Sequence, residues 1–216
     1  MRLLLFADVH ANGEALLSLQ RAERRPDAIL FAGDAVGYGP EPAQCVRWLI
    51  ANATIAVRGN HDRTAAGLSA AENFNPLAKQ AAAWTRTTLS PEHARYLARL
   101  PAGPLQVDDV VEICHGTPYD EDAYVFDSQD AIRALQRASR PVCLCGHTHV
   151  PLVVYLERGE LGYDDVSDGV VVSLREGARY LVNPGSVGQP RDSDPRAAYA
   201  IVDTNRSAVL FRRVPY

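Results

Sequence analysis

Three short apolar runs near the N-terminus each break off into a knot of polar residues of the kinds that bind metals or move protons. This repeated pattern constrains the chain more than any other feature. The first run, residues 2–7 (RLLLFA), leads into Asp8-Val9-His10. The second, 28–32 (AILFA), leads into Gly33-Asp34, and the third, 54–57 (TIAV), into Arg58-Gly59-Asn60-His61-Asp62. Helical signals lie between them. Asn12 is placed to cap a helix that runs to about residue 24 and is stopped by Pro26. A second helix is expected near 41–52, around Val46, Trp48, Leu49 and Ile50. Strand and helix alternating in this way imply a parallel sheet covered by helices. In such sheets ligands gather at the carboxyl ends of the strands, where all three polar knots fall.

The middle of the chain is more helical. Pro76 opens a helix to about residue 88, and Ser90-Pro91 is a cap and first-turn pair for another that ends before Pro101. Residues 105–107 and 110–114 flank Asp108-Asp109 as an expected hairpin. Asp127 or Ser128 caps a helix through about 138, and 141–145 is a further buried strand. From residue 150 onward strands are expected at 151–157, 169–175, 179–182, 197–203 and 207–214, the last two joined by Thr204-Asn205-Arg206. There is no internal repeat and no linker, so residues 1–216 read as one domain with two sheets.

Composition narrows the function class. Hydrophobic residues make up 47% of the 216 residues and charged residues 22%, which excludes a disordered chain. A chain of this length buries about 70% of its unfolded surface and needs no disulfide staples. The net charge of −4 argues against a general nucleic-acid binder. No stretch approaches the roughly 18 apolar residues of a membrane span. The opening MRLLLF is cut short by Asp8 and lacks a cleavage pattern, so no signal peptide is read there. A cytoplasmic location is expected, and Cys45, Cys114, Cys143 and Cys145 fit it as reduced, mostly buried thiols.

Two more knots follow later strands: Cys114-His115-Gly116 and Gly146-His147-Thr148-His149. Five of the six histidines thus sit at strand ends, while His93 falls on a helix and reads as a boundary residue. In extended backbone Asp8 and His10, and likewise His147 and His149, would leave on the same side. A Cys2His2 zinc site from Cys143, Cys145, His147 and His149 is the weaker alternative. Strict alternation along one strand spreads four groups too far for one tetrahedral ion.

Taken in order, D-x-H, G-D, G-N-H-D, H-G and G-H-T-H resemble the calcineurin-like metallophosphoesterase superfamily. GDAVGYGPEP, VRGNHD and NPGSVGQPRD resemble its small bacterial and archaeal phosphodiesterase-like members. The resemblance spans Asp8 to about Asp192. Cys114 departs from the apolar residue or glycine common before the histidine. The resemblance implies an α/β fold, a four-layer αββα sandwich of two mixed β-sheets flanked by helices, with a binuclear metal centre. It assigns Asp8, His10, Asp34 and His149 to one metal and Asp34, Asn60, His115 and His147 to the other, with Asp34 bridging. His61 would face substrate, and Asp62 would hold the His61 ring by a hydrogen bond.

Two carboxylates, four imidazoles and an amide oxygen form a mixed shell suited to two divalent ions such as Mn, Fe, Zn, Co or Ni. Two such cations outweigh two carboxylates and a hydroxide, so the centre suits a small phosphorylated substrate. The expected reaction is hydrolysis of a phosphodiester or phosphomonoester by a metal-bridging hydroxide, with His61 assisting the leaving group. A protein phosphatase or a dinucleoside polyphosphate hydrolase would share this site, and a non-catalytic scaffold would share the fold. Asn12, Arg58 and Arg191 are candidates to approach the substrate. Asn183-Pro184-Gly185-Ser186 reads as a turn supporting the metal-bearing strands. The acidic, aromatic segment 118–127 reads as a solvated connection rather than a lid. A homo-oligomer is compatible with a small enzyme of this kind.

Overall fold

The computed structural model describes residues 1–216. The elements are β1 (Arg2–Phe6), α1 (Gly13–Ala22), β2 (Ala28–Phe31), α2 (Pro42–Asn52), β3 (Ile55–Ala56), α3 (Asn60–Ala65), α4 (Pro76–Thr88), α5 (Pro91–Arg99) and β4 (Leu105–Gln106). They continue as β5 (Val111–Ile113), α6 (Ser128–Arg137), β6 (Val142–Leu144), β7 (Leu152–Glu157), β8 (Glu160–Tyr163), β9 (Val171–Ser173), β10 (Arg179–Asn183), β11 (Ala197–Asp203) and β12 (Ala208–Val214). Two mixed six-stranded sheets result, ordered β3-β2-β1-β11-β12-β9 and β4-β5-β6-β10-β7-β8. β1, β2 and β3 run parallel, as do β5 and β6.

The unbroken apolar run of β1 follows from this layering. Side chains alternate across a strand, so a strand buried on both faces carries no polar stripe. Leu3 and Leu5 enter the core between the sheets with Leu30, Ile113, Leu144, Val182 and Phe211. Leu4 and Phe6 face the other way and pack under α1 and α2 with Leu16, Leu19, Val46, Trp48 and Leu49. On the far side α6 covers the second sheet through Ala131, Ala134 and Leu135 against Cys143, Cys145 and Leu181. The order helix, sheet, sheet, helix is the expected αββα sandwich.

The helix starts rest on local capping. Asn12 accepts from the Ala15 amide, Asn75 from Ala78, Ser90 from His93 and Asp127 from Gln129 and Asp130. Pro42, Pro76 and Pro91 occupy first-turn positions where no amide is needed. His93 lies in the first turn of α5 and is largely buried. No helix is long and apolar enough to cross a membrane.

Two elements were not expected. The helix α3 spans only Asn60-His61-Asp62-Arg63-Thr64-Ala65, too polar and short to show a helical period. The strand β8 pairs with β7 through a two-residue turn, Arg158-Gly159, with φ of 52° and 88°. Positive φ at both residues matches the tight hairpin turn whose twist suits antiparallel strands. Leu5→Ala tests the inter-sheet core, since Leu5 is fully buried there. It should lower stability by about 3 kcal/mol, read as a shifted urea midpoint at unchanged slope.

Candidate metal centre

Both sheets point the carboxyl ends of their parallel strands at one place. Asp8 and His10 follow β1, Asp34 follows β2, and Asn60 and His61 open α3 after β3. His115 follows β5, and His147 and His149 follow β6. The extended geometry expected for the two i, i+2 pairs is not what forms. Asp8, His10, Asp34, His147 and His149 have φ between 47° and 69°, in the left-handed region. There the chain turns at each residue and fans the pairs apart. Each such residue costs roughly 1 kcal/mol or more. Cross-strand hydrogen bonds hold them: the Asp8 amide donates to the Gly33 carbonyl at 2.9 Å, and His10 donates to Asp34 at 3.0 Å.

The fan sorts the side chains into two outer groups and a third that overlaps both. Asp8, His10 and His149 bring donor atoms together in one, Asp34, His115 and His147 in the other, and His10, Asp34 and His61 meet between them. His149 Nε2 lies 3.5 Å from Asp8 Oδ1. Asp34 Oδ2 lies 3.6 Å from His10 Nε2 and 3.4 Å from His115 Nε2, so one carboxylate reaches both groups. Asn60 Oδ1 is 3.3 Å from His115 Nε2.

The ring tautomers follow from backbone contacts. His10 Nδ1 donates to the Val36 carbonyl at 3.1 Å, His115 Nδ1 to Ala32 at 2.7 Å and His149 Nδ1 to Gln189 at 2.7 Å. That leaves Nε2 facing inward on each ring. His147 is reversed: its Nε2 donates to the Asp122 carbonyl at 3.0 Å, leaving Nδ1 as the lone-pair atom. Burial lowers His10 well below the usual imidazole range and His149 to about 3, so both rings are neutral. Their Nε2 atoms approach to 3.1 Å with no proton between them. Two lone pairs held at that separation fit a cation and little else. The donor set, mixed nitrogen and oxygen, fits divalent transition metals.

The charges of the site respond to one another. Burial opposes charge on His115, but Asp34 and Asp8 beside it push it up to about 10. Burial would raise Asp34, yet His115 and His61 hold it well below the usual carboxylate range. Burial pushes Asp8 up to about 8.

The supporting residues depart from expectation in several places. Asp62 does not touch the His61 ring. Its oxygens accept four backbone amides, those of Asp34 (2.8 Å), Ala35 (2.8 Å), Val36 (3.2 Å) and Gly59 (3.1 Å). It shapes the Asp34 turn. His61 is 5% exposed, with its ring among Tyr38, Phe74 and His10 at centroid distances of 4.8, 4.4 and 4.8 Å. Its Nδ1 is buried with no partner. Gly37 makes room for it: a Cβ there would fall 2.3 Å from that atom. Asn12 is used up by capping α1 and by donating to the Gly188 carbonyl. Arg58 turns away to bind Glu121 through Nε at 3.1 Å and Nη2 at 3.2 Å. Arg191 does line the cleft, a space of about 330 Å³ that also meets Asp34, Asn60, His61, His147 and His149.

The segment 118–127 is a wall of the site. Tyr124 stacks on His147 at 3.9 Å, and Asp122 and Tyr124 both line the cleft. Arg63, Tyr38 and Phe74 line it as well. Asp122 and Tyr124 belong to the segment expected to be a solvated connection, whereas Arg63, Tyr38 and Phe74 carry no such signal as individual residues. Tyr38 lay within the GYGPEP motif, but Asp122 acts through its carbonyl, which every residue carries. The Asn183–Ser186 turn does support the site: Asn183 Nδ2 donates to the Gly146 carbonyl at 2.6 Å, and Ser186 Oγ to Asp8 at 2.7 Å. The Cys2His2 alternative fails, since Cys143 and Cys145 pack under α6 and the two histidines join different groups.

Cation uptake must displace the protons that Asp8 and His115 carry at neutral pH, since their values lie near 8 and 10. Calorimetric titration with Mn²⁺ in buffers of different ionisation enthalpy should therefore show proton release at about pH 7 and tighter binding at about pH 8 than at about pH 6. Affinity that falls over that interval would contradict the assignment.

Comparison with known proteins agrees with the geometry. The family model of the calcineurin-like phosphoesterase superfamily domain matches residues 1–207. An uncharacterized protein of Methanocaldococcus jannaschii is 30% identical over 219 residues, covering 98% of this chain and 86% of that protein. A crystal structure of a metallophosphoesterase from Sphaerobacter thermophilus superimposes with a TM-score of 0.86 at 39% identity, over 100% of this chain and 89% of that one. A hypothetical protein from Pyrococcus horikoshii shares the fold at a TM-score of 0.77 and 19% identity, over 100% of this chain and 88% of that one. Fold, strand-end donors and sequence similarity along nearly the whole chain make this protein a member of the calcineurin-like phosphoesterase superfamily.

Proposed function

We propose that the protein is a metal-dependent phosphoesterase that hydrolyses phosphodiester or phosphomonoester bonds of small substrates. The observation that carries this reading is the pair of donor groups joined by Asp34 on the floor of a cleft that also holds His61 and Arg191. Asp8, His10, Asp34 and His149 would hold one divalent cation, and Asp34, Asn60, His115 and His147 a second. Cations bound there supply positive charge to the phosphoryl oxygens and a water nucleophile at neutral pH.

The chain's own residues account for the rest. Burial lowers His61, so its ring is neutral at pH 7 and acts by donating a hydrogen bond to the leaving oxygen as charge develops. Its backbone amide donates to Asp34 Oδ1 at 2.9 Å, which ties the ring's position to the shared carboxylate. Tyr38 and Phe74 flank the ring and restrict its rotation. Arg191 donates to Gln189 Oε1 at 3.0 Å, lies beside the Tyr124 hydroxyl and has no carboxylate partner, so its charge is available to a phosphate oxygen. Arg63, in contrast, is neutralised by Glu121 and Asp122. No serine or cysteine lines the cleft, and a water nucleophile would make the route direct hydrolysis without a covalent enzyme intermediate.

Cleavage of bis(4-nitrophenyl) phosphate and of 4-nitrophenyl phosphate with added Mn²⁺, Zn²⁺, Co²⁺ or Ni²⁺ tests the reading. Turnover that requires metal is the expected result. Absence of turnover with every metal would favour a scaffold on the same fold. His61→Ala should retain both metal equivalents and lose roughly 10²–10⁴-fold in kcat. Arg191→Ala should raise KM by roughly 10–100-fold, the usual worth of a hydrogen bond to a charged group, with a smaller change in kcat.

A further inference from the structure

The wall formed by the segment after β5 is tied to the arginines around α3 through two neighbouring carboxylates, of which Glu121 alone meets both arginines. Glu121 accepts from Arg58 Nε and Nη2 at 3.1 and 3.2 Å, and Arg63 Nη1 donates to it as well. Arg63 Nη2 also donates to Asp122 Oδ2 at 2.6 Å, and its Nε donates to Ser69 at 3.1 Å. These groups are mostly screened from water: the side chains of Glu121, Arg58 and Arg63 are 13%, 21% and 19% exposed. One anion between two cations in such surroundings is a strong restraint on a loop.

The two arginines bracket the segment that carries Asn60, His61 and Asp62, with Arg58 just before it and Arg63 just after. The residue next to Glu121 is Asp122, whose carbonyl accepts the His147 Nε2 proton. The other three donor histidines take their tautomer from carbonyls lying beside the strand ends: Val36, Ala32 and Gln189. His147 alone takes it from this loop, and it alone presents Nδ1. The close turn is allowed by Gly116, where a Cβ would meet the carbonyls of Glu121 and Ala123 at 2.8 and 2.7 Å.

We propose that Glu121 is a positioning residue for the Asp34–His115–His147 group. By gripping Arg58 and Arg63 it fixes the Asp122 carbonyl on His147, which selects the Nε2–H tautomer and leaves Nδ1 free to bind the second cation. The same contact spaces the loop from the Asn60 side of that group, so one carboxylate sets both flanks of one metal position. No hydrogen bond joins the loop to the rings of His10 and His149, which are held by Val36 and Gln189 instead. The proposal rests on the metal-dependent reading above, but part of its test does not.

The test uses the full chain with Glu121→Ala. In metal-free protein, ¹⁵N imidazole NMR reads the His147 tautomer directly, and in the same sample the neutral rings of His10 and His149 serve as internal references. The expected result is a fixed Nε2–H tautomer in the native protein and a mixture at His147 alone in the variant. Titration with Mn²⁺ should then show one equivalent bound as in the native protein and the second weakened by roughly 10–100-fold, the usual effect of removing a residue that orients a ligand. An unchanged His147 tautomer in the variant, or equal weakening of both equivalents, would overturn the proposal. If the native protein binds none of Mn²⁺, Zn²⁺, Co²⁺ and Ni²⁺, the metal-dependent reading fails while the NMR result still decides the role of Glu121. Should Glu121→Ala not fold, Glu121→Gln keeps the shape but not the charge. It should show the same selective change in smaller degree, and an unaltered His147 signal and second equivalent there would again overturn the proposal.

Discussion

Asp34 is the interaction on which the rest of the site depends. Its carboxylate is buried, lies within 3.6 Å of ring nitrogens from both donor groups, and accepts the amide of His61. A buried anion is costly unless surrounded by groups that compensate it. Here compensation comes from two directions: from β5 through the protonated His115 and from α3 through a backbone amide. The surroundings are built to that carboxylate's dimensions. A Cβ at Gly59 would fall 2.0 Å from Asp34 Oδ1, so no other residue fits there without moving it. Asp62 then fixes the turn from below by collecting the amides of Asp34, Ala35 and Val36.

Bringing those directions together requires two sheets in a constant relation. The site draws on β1, β2 and β3 from one and on β5 and β6 from the other, so the apolar layer between the sheets sets the distance between the two donor groups. Leu3, Leu5, Leu30, Ile113 and Leu144 belong to that layer and lie on the strands that end in the candidate donor residues. Packing there is close, as in any protein interior, and a change of one methylene is felt across it. Rigid strands then allow strained, left-handed residues at their ends, because the hydrogen bonds between neighbouring ends leave no relaxed alternative.

The surface of the cleft is made differently. Its walls come from segments without regular structure, held by side chains: Glu121 between two arginines, Tyr124 on His147, Phe74 and Tyr38 on His61. The donor groups are thus positioned by backbone geometry and their outer contacts by side-chain pairing. This division explains why Arg58 and Arg63, though both beside the site, are occupied with the loop and leave Arg191 as the cleft arginine without a carboxylate partner.

Much of this was legible in the residues themselves. Apolar runs and caps such as Asn12, Ser90 and Asp127 act within a few residues, so the strands and helices could be placed from local pattern. The donor residues were recognisable because five polar knots follow five apolar runs, and a buried carboxylate or imidazole at a strand end has little other use. What tertiary structure alone decided were the contacts between segments distant in sequence. Asp62 reads as a partner for its neighbour His61 yet bonds to the turn after β2, and Arg58 reads as a phosphate contact yet binds a glutamate from the loop after β5. The strand geometry expected for Asp8 and His10, and for His147 and His149, gave way to left-handed turns because neighbouring strand ends compete for the same amides and carbonyls. Local pattern records which groups a chain carries and in what order. Which group meets which across the gap between two sheets is settled only when the buried layer between them closes.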